Sequence, residues 1–100
     1  MSAYLVALGR IHDQERFAKY LEGVVQTLEP HGGQLLGLED PAEVLEGDAS
    51  YPRVVLLQFP SKQAARNWKN SPEYKVVAEH RLASSDHVLY VIDEFVPPPD

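Results

Sequence analysis

Few side chains in this 100-residue chain are equipped for chemistry, and the one with the sharpest requirement is Arg81. It falls on the inward stripe of an expected helix, in line with Tyr74, Val77, Ala78 and Leu82. A guanidinium is all donors and no acceptor, so on an apolar stripe it needs an anion, an acidic side chain or water. The functional reading is a ligand carboxylate or similar anion gripped bidentately. The structural reading is a pair with Glu46 or Asp93, or a head that snorkels into water, which is the commoner state of arginine near apolar surface. Tyr74, Trp68 and Tyr20 lie on inward stripes too. They would wall any cleft between helices and sheet, and in its absence they fill core volume, the usual task of buried rings.

His31, in the corner Pro30-His31-Gly32-Gly33, is the weak candidate for a catalytic acid or base. No carboxylate or nucleophile stands at a telling distance from it, so a solvated loop residue is the ordinary reading. Ser61 and Ser71 sit where helices begin, and their hydroxyls are N-caps rather than nucleophiles. His12, His80 and His87 fall on different elements with no ligand spacing, and no metal site is expected. Gly32 and Gly33 follow a helix instead of preceding one, so they do not cradle a phosphate. No cofactor signature is present, none is expected, and whether the chain is an enzyme stays open.

The elements that must position these groups can be read from periodicity and punctuation. Residues 3–8 form an apolar run that ends before Gly9 and Arg10, a strand. After the cap Asp13, the stripe Phe17, Tyr20, Leu21, Val24, Val25 and Leu28 marks the firmest helix, ended by Gly32 and Gly33. Residues 34–38 and 43–46 read as two pieces of one edge strand interrupted at Asp40 and Pro41. Residues 53–59 are a central strand, and 87–95 the last. Between them Ser61 opens a helix with Ala64, Ala65 and Trp68 inward, and Ser71 with Pro72 restarts it, so the second helix is broken in two. The order is βαββαβ, an α+β ferredoxin-like fold with a four-stranded antiparallel sheet. It forms one domain over residues 1–95, followed by a proline-rich tail at 96–100 that cannot continue a ladder.

Both parities of the strands are apolar, Tyr4, Val6 and Leu8 as well as Leu5 and Ala7. An antiparallel sheet with helices on one face leaves the other to water, and a patch of several hundred Å² does not stay bare. A homodimer through the helix-free face is expected. With 9 basic and 15 acidic residues the net charge is −6, which disfavours nucleic acid. No apolar run approaches the ~20 residues of a membrane span, no basic leader opens the chain, and cysteine is absent, so a cytoplasmic protein is expected.

The chain carries, in order, Gly32-Gly33, Leu45-Glu46-Gly47, Phe59-Pro60-Ser61, Ala64-Ala65 with Trp68, Ser71-Pro72-Glu73-Tyr74, and Arg81. This ordered set of short motifs resembles the DUF1330 family of small bacterial proteins within the dimeric α+β barrel superfamily. The resemblance spans nearly the whole chain, from Tyr4 to about Phe95, and implies pairing as a dimeric α+β barrel without handing over an agreed reaction. Family members often carry an aromatic residue after the tryptophan and a glycine late in the last strand, where this chain has Lys69 and Glu94. The leading expectation is a homodimer that binds a small, partly apolar molecule between helices and sheet. Arg81 would orient its anionic group, His31 would shuttle a proton, and Trp68, Tyr74 and Tyr20 would line the wall. The alternative is a protein-interaction or regulatory module that recruits a partner along the sheet edge. Haem chemistry would want an axial histidine, and His80 stands one step off the inward stripe.

Overall fold

Every α-helix starts where a short polar side chain can take up a free backbone amide. Asp13 accepts from the Arg16 N–H at 3.1 Å and opens α1, Gln14–Leu28. Ser61 accepts from Ala64 at 3.0 Å before α2, Lys62–Lys69. Ser71 accepts from Tyr74 at 3.2 Å before α3, Pro72–Ser84, whose first residue is proline. Each such cap contributes about 1 kcal/mol. A 3-10 turn, Glu29–His31, closes α1, and Gly32 leaves it at φ 73°, the left-handed region where a side chain is strained.

The computed structural model describes residues 2–99. Its strands are β1 (Ala3–Ile11), β2 (Gln34–Glu39), β3 (Arg53–Phe59) and β4 (Ser85–Asp93), hydrogen-bonded in the order β2-β3-β1-β4. All three pairings are antiparallel, which gives the α+β ferredoxin-like arrangement. The helices cover one face. There Ala3, Leu5, Ala7, Leu57 and Phe59 meet Phe17, Tyr20, Leu28, Ala65, Trp68, Tyr74 and Ala78 in the core. The opposite face is also apolar: Tyr4 pairs with Ile92, Val6 with Tyr90 and Leu56, and Leu8 with Val88 and Val54. No helix in the described residues is long and apolar enough to cross a membrane.

Four expectations change. β1 does not stop before Gly9 but runs through it to Ile11, because Gly9 pairs on both sides, with Arg53 and with His87. The piece at 43–46 is not a strand: the Ala42 N–H donates to the Pro52 carbonyl at 2.8 Å and closes a loop that leaves those residues outside the ladder. β4 begins two residues earlier and ends at Asp93, after which the Glu94 N–H still bonds the Ser2 carbonyl. The inward stripes are narrower than their periodicity suggests, since Leu21, Val25 and Leu82 are 46%, 60% and 67% exposed. Leu21 and Val25 edge a cleft, which is why the α1 stripe fails to close there.

Candidate functional site

Across the sheet, Gly9 lies between two long polar side chains on its helix-facing side, Arg53 of β3 and His87 of β4. A β-carbon at Gly9 would lie 2.3 Å from Cδ2 and Nε2 of His87, so the imidazole occupies the space that only glycine leaves. α3 crosses above this row and supplies Arg81 and Tyr74, while α1 supplies Phe17 and Tyr20. These side chains surround a cavity of about 100 Å³ that also reaches Trp68. Its apolar lip is Leu21, Val25, Leu35 and Leu38. It shares Phe17, Leu21, Leu38 and Arg53 with a neighbouring shallower trough of about 620 Å³ between α1 and the end of β2.

The two guanidiniums set the electrostatics. Arg53 and Arg81 are only 8% and 7% exposed. Arg81 Nε donates to the Tyr74 hydroxyl at 3.2 Å, and Arg81 has no carboxylate partner among the described residues. Neither expected structural partner serves it: Glu46 lies exposed in the loop, and Asp93 pairs with Lys62 at 3.8 Å. Arg53 rests over the Phe17 ring, 5.0 Å from its centroid, and its nearest carboxylate, Asp40, is 3.9 Å away, beyond hydrogen-bond range. No fully buried side-chain nitrogen or oxygen lacks a partner among the described residues, so the unbonded guanidinium nitrogens keep some access to solvent. Two positive heads thus share one cavity in a chain whose net charge is −6. Desolvated like charges without hydrogen-bonded counterions are costly, and an anion between them recovers that cost.

His87 completes the row. Its ring stacks on Phe17 at an interplanar angle of 4° with centroids 5.9 Å apart. Ser85 Oγ donates to the Arg81 carbonyl at 2.6 Å and lies 2.9 Å from His87 Nδ1. With the hydroxyl proton committed to that carbonyl, the serine oxygen accepts from Nδ1–H, and Nε2 is left as the basic nitrogen. Nε2 has no hydrogen-bond partner and is not fully buried, and His87 lines the cavity with the Cδ2–Nε2 edge of its ring against Gly9. Burial, then the charges of Arg81 and Arg53, pull the imidazole pKa down to about 4, so it is neutral at physiological pH. Tyr20 and Tyr74 share a hydroxyl pair at 3.0 Å, and whichever donates, one phenolic proton is left over. Burial and the neighbouring Tyr74 hold the Tyr20 phenol far above its ordinary range, so it stays a donor.

The cleft gathers Arg81, Tyr74, Trp68 and Tyr20. Trp68 is the least free of them, with its Nε1–H donating to Thr27 Oγ1 at 2.9 Å and its ring 4.1 Å from that of Tyr74. His31 is not among the lining residues, since it ends the 3-10 turn after α1. His80 accepts from Arg16 Nε at 3.2 Å. Among the described residues no three metal-ligating side chains converge. Sequence reasoning missed Arg53 and His87. The signal available was parity: Arg53 shares a face with Val55, Leu57 and Phe59, and a glycine inside an apolar strand marks close approach by a neighbour.

The family model for a domain of unknown function, DUF1330, matches residues 2–95. No curated protein matches. A protein of unknown function from Rhodopseudomonas palustris superposes with a TM-score of 0.79 at 20% identity, covering 96% of this chain and 84% of that one. A dimeric ferredoxin-like protein of unknown function from a Jannaschia species gives 0.69 at 16% identity, over 94% of this chain and 100% of the other. SnoaB, a cofactor-independent oxygenase from Streptomyces nogalater, gives 0.65 at 14% identity, over 99% and 98% of the two chains. At these identities the likeness is one of fold.

Proposed function

The chain belongs to the DUF1330 family, and from that premise we propose that it is a cytoplasmic homodimer whose cleft binds a small, partly apolar molecule through an anionic group. One observation carries the reading: Arg53 and Arg81, both buried, line the same cavity and keep unbonded donors, with no carboxylate within hydrogen-bond distance. The anion sits between the guanidiniums, within reach of the leftover tyrosine proton, and the apolar remainder lies along the leucine lip and trough. The uncovered apolar sheet face around Val6 and Tyr90 packs against the same face of a second copy, as suits an isologous pair. The dimeric Jannaschia protein supports that assembly, and SnoaB supports chemistry without a bound cofactor on this fold, in both cases by analogy. The edge strand β2 is exposed at all six positions, which favours partner recruitment as the second reading.

The test is a titration of the single tryptophan, Trp68, with 3-phenylpropionate and with its neutral amide. The carboxylate quenches or shifts the emission and the amide does not. Arg81→Leu weakens carboxylate binding by tenfold or more, in line with the loss of about 1.5–3 kcal/mol for a charged hydrogen bond. Unchanged binding in that variant overturns the anion site.

A further inference from the structure

Resting on the reading of the cleft as an anion site, we propose that His87 is the base of a cofactor-free proton transfer on a 2-oxo acid with an apolar tail. The geometry supplies each part. His87 lines the cavity and its Nε2 is unpaired and not fully buried, while Nδ1 is anchored through Ser85 to the Arg81 carbonyl, which leaves Nε2 as the basic nitrogen. The ring lies against Gly9, so its position is set by a missing side chain rather than by a flexible contact. Two separate guanidiniums suit two adjacent oxygens, a carboxylate and the neighbouring carbonyl, better than one oxyanion. The cavity, at about 100 Å³, has the share of liquid volume of about three water molecules and takes the oxo-acid head. The tail passes Leu21 and Leu38 into the trough.

In the step, the C–H bond next to the carbonyl breaks and its proton passes to Nε2. The electron pair becomes the new C=C bond, and the carbonyl π electrons move onto oxygen, where Arg81 or Arg53 holds the enolate. The proton on Nε2 exchanges with solvent, and delivery from Nε2 to oxygen gives the enol while delivery to carbon restores the ketone with a solvent hydrogen at C3, so the reaction balances with no redox partner. The groups around the imidazole are Arg81 of α3, Arg53 of β3, Asp86 of β4 and Asp40 of the loop after β2, with Phe17 of α1 stacked on it. In the free protein burial and then the two arginines disfavour the charged ring, and a bound dianionic enolate offsets the arginines, strengthening the base as charge develops.

The experiment follows exchange of the C3 protons of phenylpyruvate for deuterium by NMR, with Trp68 emission reporting binding in the same samples. Wild type accelerates exchange over buffer, and His87→Asn and His87→Gln lose about a hundredfold or more of that acceleration while phenylpyruvate still binds. Exchange as fast in both variants as in wild type, or binding to wild type without acceleration, overturns the base and leaves the anion site standing. Failure of wild type to bind phenylpyruvate and 3-phenylpropionate alike overturns both readings. Should one variant misfold by circular dichroism, the other decides. As a second measurement, 3-phenylpropionate raises the His87 pKa in wild type above its free value, and an unmoved titration counts against the charge coupling.

Discussion

Lowering the pH from 7 to 4.5 charges His87 in the unfolded chain but not in the folded one, and the resulting loss of stability can be worked from the cleft. The folded imidazole is held at about 4 by burial and by Arg81 and Arg53, against an ordinary value of 6.5. Between those values the unfolded chain binds the extra proton, so stability rises with pH there. The contribution is complete above about pH 6.5 and is lost as pH falls toward about 4. At about 1.4 kcal/mol per pH unit the gap amounts to about 3 kcal/mol, but the ring is only half-buried and solvent screens it, which reduces it to about 1.5 kcal/mol. Urea unfolding at fixed protomer concentration, at pH 7 and pH 4.5, measures it on wild type and His87→Asn. Carboxylates titrate alike in both proteins, so their effect cancels in the difference. Wild type loses about 1.5 kcal/mol more than the variant over this interval. Equal losses would refute the argument that the two arginines and burial depress this histidine.

The remaining predictions concern the floor of the cleft and the bare face of the sheet. Gly9→Ala places a methyl group 2.3 Å from the His87 ring, which must move, and lowers stability by about 1–3 kcal/mol by urea unfolding; an unaltered midpoint counts against the close fit. Sedimentation at micromolar concentration finds wild type as a dimer and Val6→Glu as a single subunit, because a carboxylate would be buried opposite Leu56 and Tyr90; a monomeric wild type overturns the pairing.

The site divides between what is local in the chain and what is not. Asp13, Ser61, Ser71 with Pro72, and Gly32 act on backbone groups within a few residues, so helix starts and stops were legible in the sequence, and the order βαββαβ followed. Arg81 and Tyr74, two turns apart on α3, were legible for the same reason, and so were the rings on the inward stripes. The edge-strand piece at 43–46 was misread because its two apolar residues, Val44 and Leu45, meet no partner strand, and strand existence depends on pairing.

What the sequence by itself determined, then, is which elements exist and that both faces of the sheet are apolar, because periodicity and capping are short-range properties of the chain. The tertiary structure alone decided that Arg53, Gly9 and His87 form one row under Arg81. Cross-strand register is set by hydrogen bonds between residues tens of positions apart, and no local pattern encodes which side chain will stand opposite a glycine. The depressed pKa of His87 has the same origin, since it depends on burial and then on two charges that reach it from α3 and β3 only after the sheet has closed.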